Sequence, residues 1–508
     1  MKKNIKKNKA RIFEAIVIGL IGFLIITFNK ISFCHQAYQI DFDQQVFLYW
    51  DYLKSLSLIP FKDFFYPYGL LLYFKSISIQ WYFVYLFVLL LISTSTFLSF
   101  RYSFKSRIKS YIFFLIHSIF IFLFVNPESY VRYGSLIVFV ALLSYFAYKK
   151  TLITKFSGFI LGLLIGIFFS FINDVFFYSS LIYISFTGMN VLLWRTDFSV
   201  KQILLYVLYA IVGFLIGSIP LTFYLYSNNL FSDFIFYYHS LEGFYLLGKV
   251  AFPPSLKSLE NTLLIIGLIL SIFSIISKYR KNKIDYKFYY LLSLILLILS
   301  LEQKNLLRSM YQQISFISAI TFFILLDEFV LKIKNKLNNR IIFIFCVNVI
   351  FLIFLIIGVD RNFKFEKNVN SFSEIKISQC VDKKLKNINK ESLLIHTKVV
   401  DYVKSKENAR IFSFPGDPIF YVLLNQEPPF YPSIYEATPV YAQKKLIQYI
   451  KKNKVDYVIL NIGNPSIQDE VPNQIRAKVL YEFIMNNYKA EVQIDNFLIL
   501  KAKANNNF

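Results

Sequence analysis

The stretch "DFDQQVFLYWDYLKSLSLIPFKDFFYPYG", residues 41–69, lies between two apolar runs that are each long enough to cross a membrane. It contains four aspartates, Asp41, Asp43, Asp51 and Asp63, and closes with a Pro-Tyr-Gly turn. These acids stand out in a chain that is 56% hydrophobic and only 17% charged. The loop is therefore the first place to look for polar chemistry.

The composition predicts a polytopic α-helical membrane protein, because it is too apolar for a soluble globular chain of 508 residues. About 20 mostly apolar residues cross the membrane hydrocarbon, and such runs recur from residue 12 to residue 358. We predict about 11 transmembrane helices, near residues 12–29, 81–99, 111–125, 131–148, 156–172, 175–193, 203–222, 261–277, 288–301, 311–331 and 341–358.

The formal charge of +24 is distributed by membrane side. The loops on the side of the N-terminus hold 24 Lys and Arg, whereas the longer set of opposite loops holds 9. This positive-inside pattern attributes the excess of Lys and Arg to the orientation of the chain in the membrane, and it argues against a nucleic-acid partner. It predicts an integral protein of the cytoplasmic (plasma) membrane, with a cytoplasmic N-terminus and an extracytoplasmic C-terminal segment.

The segment 359–508 has no apolar run of span length. Strand-like pieces ("ARIFSF", "VDYVILNI", "FLILKA") alternate there with helical stretches ("PVYAQKKLIQYIKKNK", "RAKVLYEFIMNNY"). We predict an extracytoplasmic α/β domain at 359–508, after a transmembrane module at 1–358 whose first extracytoplasmic loop covers about residues 30–80. The domain is interpreted either as shaping acceptor access or as a structural cap.

Most loop acids fall on the extracytoplasmic side, and Asp174 has the most apolar surroundings, in "FFSFINDVFFYSSL". A carboxylate in such a setting needs a partner or a water-filled cavity. Alternatively, Asn173 or Asp174 caps the helix that follows. Arg132, Lys249 and Arg308 lie beside span ends on the same side, where they could pair with these acids or bind a phosphate.

Within the first loop, the spacing of apolar residues predicts an amphipathic helix at the membrane interface. Its apolar side is formed by Val46, Tyr49, Leu53 and Leu56. On such a surface helix we expect Asp51 to be solvated, whereas Asp43, just before the helix, could be held in place and still reach a ligand.

From Ile59 to Gly69 the loop resembles the first extracytoplasmic loop of GT-C glycosyltransferases. The similarity is greatest to bacterial relatives of protein O-mannosyltransferases and of the aminoarabinose transferase that modifies lipid A. Those loops read an acidic pair, an aromatic helix, and then "G-x-I-P-Y-x-D-F-F-Y-P-Y-G-P". Counting back from Pro60, the family's catalytic aspartate falls on Asp43. Gln44 replaces its acidic neighbour, which leaves open whether Asp41 substitutes for it.

Other segments resemble the family more weakly. "FINDVFF" is similar to the family's "K-Q-D-V-G" segment, with Asp174 on its aspartate, and "LLRSMYQQ" is similar to an Arg-containing motif but lacks its histidine. "FSDFIFYYHSLEGFYLLGKVAFPPS" is similar to a later loop that ends in a Pro-rich turn, and the C-terminal segment to a soluble domain that some of these enzymes carry.

The resemblance implies transfer of a hexose or pentose from a polyprenyl-phosphate donor to a glycan, lipid or protein acceptor at the membrane, usually with inversion. The catalytic candidates are Asp43 as general base, Asp41 and Asp174. The candidates for binding the donor phosphate are Arg308, Lys249 and Arg132. The candidates for contacts of the donor and acceptor are Asp63, Tyr66, Tyr68, Glu128 and Glu242. No cofactor is certain: a divalent metal stays open, and no glycine-rich nucleotide motif occurs.

Four other interpretations remain. A transporter or flippase of lipid-linked sugars should carry charges within its spans, and only Glu14 and the Asp327–Glu328 pair fit. A non-catalytic membrane scaffold or a catalytically degenerate glycosyltransferase relative is favoured by the missing acid and histidine. A metal-dependent lipid-phosphate hydrolase would need clustered ligands, whereas the four histidines are scattered. A polymerase or ligase of surface polysaccharide would use the same donors on the same side.

Overall fold

The structure is a computed structural model of the 508-residue chain. It describes residues 2–27, 42–66, 69–75, 77–104, 106–125, 127–194, 198–237, 259–281, 283–308, 317, 319–327, 381–382, 385–386, 388, 390–431, 433–463, 467–468 and 471–504.

Within these ranges the structure is mostly helical, with a small sheet near the C-terminus. The first helices are α1 (Lys2–Thr27), α2 (Phe42–Ser55), α3 (Leu70–Phe74), α4 (Ile79–Ser103), α5 (Arg107–Phe124), α6 (Pro127–Tyr148), α7 (Lys155–Phe171), α8 (Asn173–Met189), α9 (Val200–Gly217), α10 (Ile219–Ser227), α11 (Leu259–Arg280) and α12 (Tyr286–Arg308). The later elements are α13 (Lys390–Lys404), β1 (Ile411–Ser413), α14 (Ile419–Leu424), α15 (Ile434–Ala437), α16 (Val440–Lys452), β2 (Tyr457–Asn461), β3 (Ile467–Gln468), β4 (Val471–Pro472), α17 (Asn473–Arg476), α18 (Lys478–Asn487), β5 (Tyr488–Ile494) and β6 (Phe497–Ala502).

The chain divides into two compact units. The helical unit comprises Met1–Ile31, Tyr68–Phe223 and Pro254–Asn370. The mixed unit comprises Ser32–Pro67, Tyr224–Pro253 and Ser371–Phe508. The part of the first loop up to Pro67 therefore belongs to the same unit as the C-terminal sheet, although more than 300 residues separate them in the chain.

In the helical unit, four described helices are long and apolar enough to cross a membrane: Ile79–Ser103, Glu128–Tyr148, Asn173–Leu192 and Val200–Gly217. Three shorter apolar helices accompany them, Ile12–Thr27, Lys155–Phe171 and Tyr286–Leu301. Large apolar side chains also cover the outer faces of this unit; on α9, Leu204 is 64% exposed and Leu215 58% exposed. Apolar side chains on an outer surface of this kind suit a lipid environment and indicate a membrane protein.

The helices largely follow the predicted spans, with one clear correction. The segment 203–222 is not a single helix: α9 ends at Gly217 and α10 begins at Ile219. Pro220 explains the break, because proline cannot donate the backbone hydrogen bond that would continue α9. The predicted span 341–358 lies outside the described residues, as does most of 311–331, so the full number of spans stays a prediction.

Helices α7 and α9 pack against each other through glycines. A Cβ atom at Gly162 would overlap the carbonyl oxygen of Ala210, and one at Gly213 would overlap that of Phe159. The hydroxyl of Ser170 donates to the carbonyl of Gly217 (3.0 Å). Small residues that let two backbones approach closely are a common way to pair helices in a membrane, where the hydrophobic effect gives little help.

In the mixed unit, a four-stranded sheet has the order β1-β2-β6-β5. β1 pairs in parallel with β2, whereas β2 with β6 and β6 with β5 pair antiparallel. A buried cluster that includes Val399, Phe420, Ile459 and Ile499 lies against the sheet. The strands predicted in "ARIFSF", "VDYVILNI" and "FLILKA" are confirmed, as are helices α16 and α18.

Strand β5 was not predicted. Its alternating pattern is interrupted by charged and small residues ("YKAEVQI"), and its register shifts between Ala490 and Val492. The tight turn to β6 at Asp495–Asn496 was the available signal, since Asp495 adopts a left-handed conformation (φ 49°) that acidic and amide residues tolerate.

Candidate functional site

Helix α2 carries the first-loop motif inside the mixed unit, where it packs against α14. Asp43 lies in its first turn, rather than before the helix as the sequence suggested. Asp41 lies outside the described residues. The predicted apolar positions Val46, Tyr49 and Leu53 are buried, whereas Leu56 lies past the end of the helix and is exposed.

The expectation that α2 is a membrane-surface helix with a solvated Asp51 is wrong. Asp51 is only 6% exposed, and its carboxylate lies 3.4 Å from the Lys54 ammonium, which is also buried. Trp50 and Tyr52 are buried as well. The helix is thus buried on most of its sides, and Asp51 and Lys54 neutralise each other one turn apart.

After α2 the chain forms a tight turn that Asp63 stabilises. Its carboxylate accepts a hydrogen bond from the Ile59 amide (2.8 Å), and its own amide donates to the Ile59 carbonyl (2.9 Å). Within this turn Phe61 is buried in a left-handed conformation (φ 76°), with its ring against those of Phe234 and Tyr237. The hydrogen bonds of Asp63 therefore indicate a structural role, which is to stabilise the conformation of the loop.

Tyr66, which follows this turn, is buried in an aromatic cluster. Its ring packs edge-on against Trp50 (4.9 Å between centroids), and the Lys54 ammonium lies 5.6 Å from the ring centre. The backbone carbonyl of Tyr66 accepts a hydrogen bond from the Tyr237 hydroxyl (3.1 Å). Tyr68 and Glu242, predicted to contact the donor or acceptor, lie outside the described residues.

In the helical unit, three predicted site residues come together around the first turns of α6 and α8. Only Ile172 separates α7 from α8, and its backbone occupies the N-cap position without a side-chain hydrogen bond. The interpretation of Asn173 or Asp174 as the helix cap is therefore wrong. Asp174 instead pairs with Arg132: their Oδ2 and Nη2 atoms lie 2.7 Å apart, and both side chains are almost entirely buried.

A second ion pair lies one turn earlier on α6. Glu128 pairs with Lys75, which lies just after α3, and residues 128 and 132 occupy the same face of α6 because they are four apart. The Lys75 ammonium also lies 4.8 Å from the centre of the Tyr85 ring. We call Lys75, Glu128, Arg132 and Asp174 the ionic cluster.

Lys75 was not identified from the sequence as the partner of Glu128. The available signal was its position: it lies between the motif of the first loop and the next span, on the side that is predicted to be extracytoplasmic. Arg308 is the last residue of α12, and Lys249 lies outside the described residues. The structure thus pairs Arg132 with one predicted acid, Asp174, and places a second, Glu128, one turn earlier on α6.

The ionic cluster is formally neutral. It holds two cations and two carboxylates in largely apolar surroundings, where charges are expensive to bury and are typically functional. The helix dipoles add partial positive charge at the N-terminal ends of α6 and α8. An arriving phosphate could replace a carboxylate as the partner of Arg132 or Lys75.

Other acids in the spans are paired in the same way. Glu14 lies beside Arg101 (3.6 Å) and accepts a hydrogen bond from the Tyr111 hydroxyl. Asp327 lies between Lys109 (2.7 Å) and Lys287 (3.4 Å). These charges, which the transporter interpretation assigns to coupling, connect neighbouring segments of the chain to one another. Among the described residues, no group of three or more His, Cys, Asp or Glu could hold a metal ion.

The mixed unit also buries two acids that the sequence did not single out. Asp417 accepts hydrogen bonds from the side-chain amides of Asn461 (3.1 Å) and Gln45 (3.4 Å). Burial raises its pKa, although the nearby His396 and both amides counteract the rise. Glu436, in α15, is buried so fully that its pKa lies well above the usual range for a glutamate.

No family model matches this chain, and no curated protein matches it. Among solved structures, it is similar to the archaeal oligosaccharyltransferase AglB from Archaeoglobus fulgidus, which was solved in complex with an inhibitory peptide and a dolichol-phosphate. The identity is 10% and the TM-score 0.44, over 97% of this chain and 75% of that chain. Similarity of this strength does not place the chain in a family.

Proposed function

We propose that this chain is a membrane glycosyltransferase of the GT-C type. It transfers a sugar from a polyprenyl-phosphate donor to a glycan, lipid or protein acceptor on the extracytoplasmic side, with inversion at the anomeric carbon. The observation that carries the proposal is the buried Arg132–Asp174 pair, with the Lys75–Glu128 pair one turn away on α6. The resemblance of the first loop to GT-C enzymes supports it independently.

Arg132 and Lys75 bind the donor phosphate in this proposal. A guanidinium offers parallel hydrogen bonds to two phosphate oxygens, and an ammonium adds a point charge. Asp174 and Glu128 hold the two cations in place before the donor arrives. Lys249 and Arg308 remain further candidates for the same task. Cations aimed at the phosphate stabilise the charge that develops as the lipid phosphate leaves.

Asp43 acts as the general base, with Asp41 as the alternative. An acceptor hydroxyl is a poor nucleophile near neutral pH, so a carboxylate must take its proton as the new bond forms. The acceptor oxygen attacks the anomeric carbon, the bond from that carbon to the phosphate oxygen breaks, and the lipid phosphate departs with the electron pair. Attack from the face opposite the phosphate gives inversion.

The test uses the purified full-length protein in proteoliposomes together with membranes that contain endogenous acceptors. Polyprenyl-phosphate donors with a radiolabelled hexose or pentose are compared with nucleotide sugars. The proposal predicts that label reaches the acceptor, and that polyprenyl phosphate is released, only from the lipid-linked donors. Transfer from nucleotide sugars alone would contradict it.

Variants of the ionic cluster connect the activity to the structure. Arg132→Gln should raise the donor KM and lower kcat, because it removes a cation from the phosphate. Lys278→Gln is the matched control: it also removes one positive charge, but from a pair with Asp285 near the end of α11 (3.3 Å). If the wild type moves lipid-linked sugars between leaflets and transfers none, the flippase interpretation replaces this one.

A further inference from the structure

The C-terminal part of the mixed unit makes polar contacts with helix α2 near both of its ends. At the start of the helix, the Gln45 side-chain amide donates to the carboxylate of Asp417 (3.4 Å). Near its end, the Tyr52 hydroxyl donates to the side-chain carbonyl of Asn425 (3.0 Å). Gln45, Asp417 and Tyr52 are all buried. The Gln45–Asp417 contact therefore lies away from water, where a lost hydrogen bond is not replaced, whereas the Tyr52–Asn425 contact is partly buried because Asn425 is exposed.

Neighbouring residues fix the positions of Asp417 and Asn425. Asp417 follows Gly416, whose φ of +146° requires glycine, and the Ser413 hydroxyl donates to the Asp417 carbonyl (2.9 Å). Asn461, at the end of β2, donates to the second oxygen of the Asp417 carboxylate (3.1 Å). Asn425 ends α14 in a left-handed conformation (φ 53°). Both partners of α2 are thus anchored to the sheet and to α14.

The two contacts act on one face of α2. Gln45 and Tyr52 are seven residues apart, which is about two helical turns or roughly 10 Å along the axis. Tyr49 lies between them on the same face and is completely buried. A helix that is fixed at two points on one face can neither rotate about its axis nor slide along it without breaking one of these hydrogen bonds.

We propose that Asp417, acting through Gln45, and Asn425, acting through Tyr52, are positioning residues that hold the first turn of α2, and with it Asp43, in the orientation needed for transfer. This inference rests on the proposed function and gives the C-terminal domain a task within it. Asp43 lies two residues before Gln45 in the same helical turn, so its backbone moves with that contact. A misplacement of about 1 Å is enough to lower a rate about 100-fold.

The experiment compares Asp417→Ala, Gln45→Ala and the double variant in the full-length protein. We expect each single variant to lower kcat for sugar transfer by about 10- to 100-fold with little change in the donor KM. The double variant should be no worse than the poorer single variant, since both remove the same contact. Gln45→Glu paired with Asp417→Asn, which exchanges donor and acceptor chemistry, should restore part of the activity.

Gln443→Ala is the matched control. Gln443 is buried in the same domain and bonds the Thr438 carbonyl (2.5 Å) and the Leu480 amide (3.1 Å) rather than α2. It should lower the thermal midpoint without lowering kcat. A kcat loss in this control as large as that in Asp417→Ala would overturn the positioning role, because general damage to the domain would then explain both.

Hydrogen–deuterium exchange of residues 42–55 gives a measurement that does not need activity. Faster exchange in Asp417→Ala than in Gln443→Ala supports the holding contact, and equal exchange overturns it. Normal transfer by Asp417→Ala overturns the positioning role alone. If the wild type transfers no sugar from any donor, the proposed function fails and the positioning role fails with it, whatever the exchange shows.

Discussion

Arg132 and Asp174 are held 2.7 Å apart, guanidinium nitrogen to carboxylate oxygen, in two helices that are otherwise long and apolar enough to cross a membrane. The pair joins the first turn of α8 to the second turn of α6. Removing two charges from water is expensive, so a pair in this setting contributes little net stability and is better explained by function.

Neutralising one member of this pair should destabilise the helical unit more than neutralising both. Arg132→Gln or Asp174→Asn leaves a buried charge without its counter-ion, which costs about 3–5 kcal/mol. The double variant should recover much of that loss while remaining defective in transfer. Thermal midpoints in detergent test the stabilities. A double variant whose loss equals the sum of the single losses would contradict the coupling of the two residues.

The close approach of α7 and α9 at their glycines leads to a prediction that can be tested with a matched control. Gly162→Ala should lower the thermal midpoint, because its Cβ would overlap the Ala210 carbonyl oxygen and overpacking costs about 1–3 kcal/mol. Gly188→Ala in α8 meets nothing within 4 Å and should stabilise the helix by about 0.5–1 kcal/mol. Equal effects in the two variants would argue against the close approach of α7 and α9.

Asp63 should act through its hydrogen bonds rather than through its charge. Asp63→Asn keeps an oxygen that can accept from the Ile59 amide, so transfer should stay within about twofold of the wild type. Asp63→Ala loses this bond, worth about 1 kcal/mol, and should lower both stability and activity. The transfer assay decides: loss of activity in Asp63→Asn at normal stability would instead indicate a charged role in binding or catalysis.

Burial of Glu436 should make the mixed unit less stable as the pH rises. The unfolded carboxyl releases its proton near its ordinary pKa of 4.5, whereas the folded one holds it to higher pH. Between these two pKa values the folded state binds more protons than the unfolded state. The stabilising contribution of the Glu436 carboxyl is therefore complete at low pH and falls by up to about 1.4 kcal/mol per pH unit as the pH rises.

Glu436→Gln should remove this dependence. Its thermal midpoint should fall less than that of the wild type between pH 5 and pH 8, and the exposed Glu407→Gln serves as the control. If wild type and Glu436→Gln respond identically to pH, the carboxyl is not buried as the structure describes.

The elements that could be predicted from the sequence are those whose signal is local. The apolar runs placed the helices, and the short apolar stretches placed β1, β2 and β6. The break at Ser218 could have been predicted too, because the proline two residues later stops α9.

The errors at Asp51, Asp417 and Lys75 have a common cause in contacts between distant segments. Asp51 was expected in water because the sequence around α2 indicates an amphipathic helix, but partners more than 370 residues away enclose that helix. Asp417 and Lys75 became site residues through such contacts as well. Nothing within a few residues of either one predicts the partner that it meets.

The central claim is that Asp43 takes the proton of the acceptor, and one comparison tests it most directly. Transfer from a radiolabelled polyprenyl-phosphate sugar is measured with the wild type, Asp43→Asn and Asp41→Asn at equal protein level. Asp43→Asn is nearly isosteric but cannot accept the proton, so its kcat should fall by about 100-fold or more, while Asp41→Asn should stay close to the wild type. Full activity in Asp43→Asn would contradict the account, and loss in Asp41→Asn alone would move the base to Asp41.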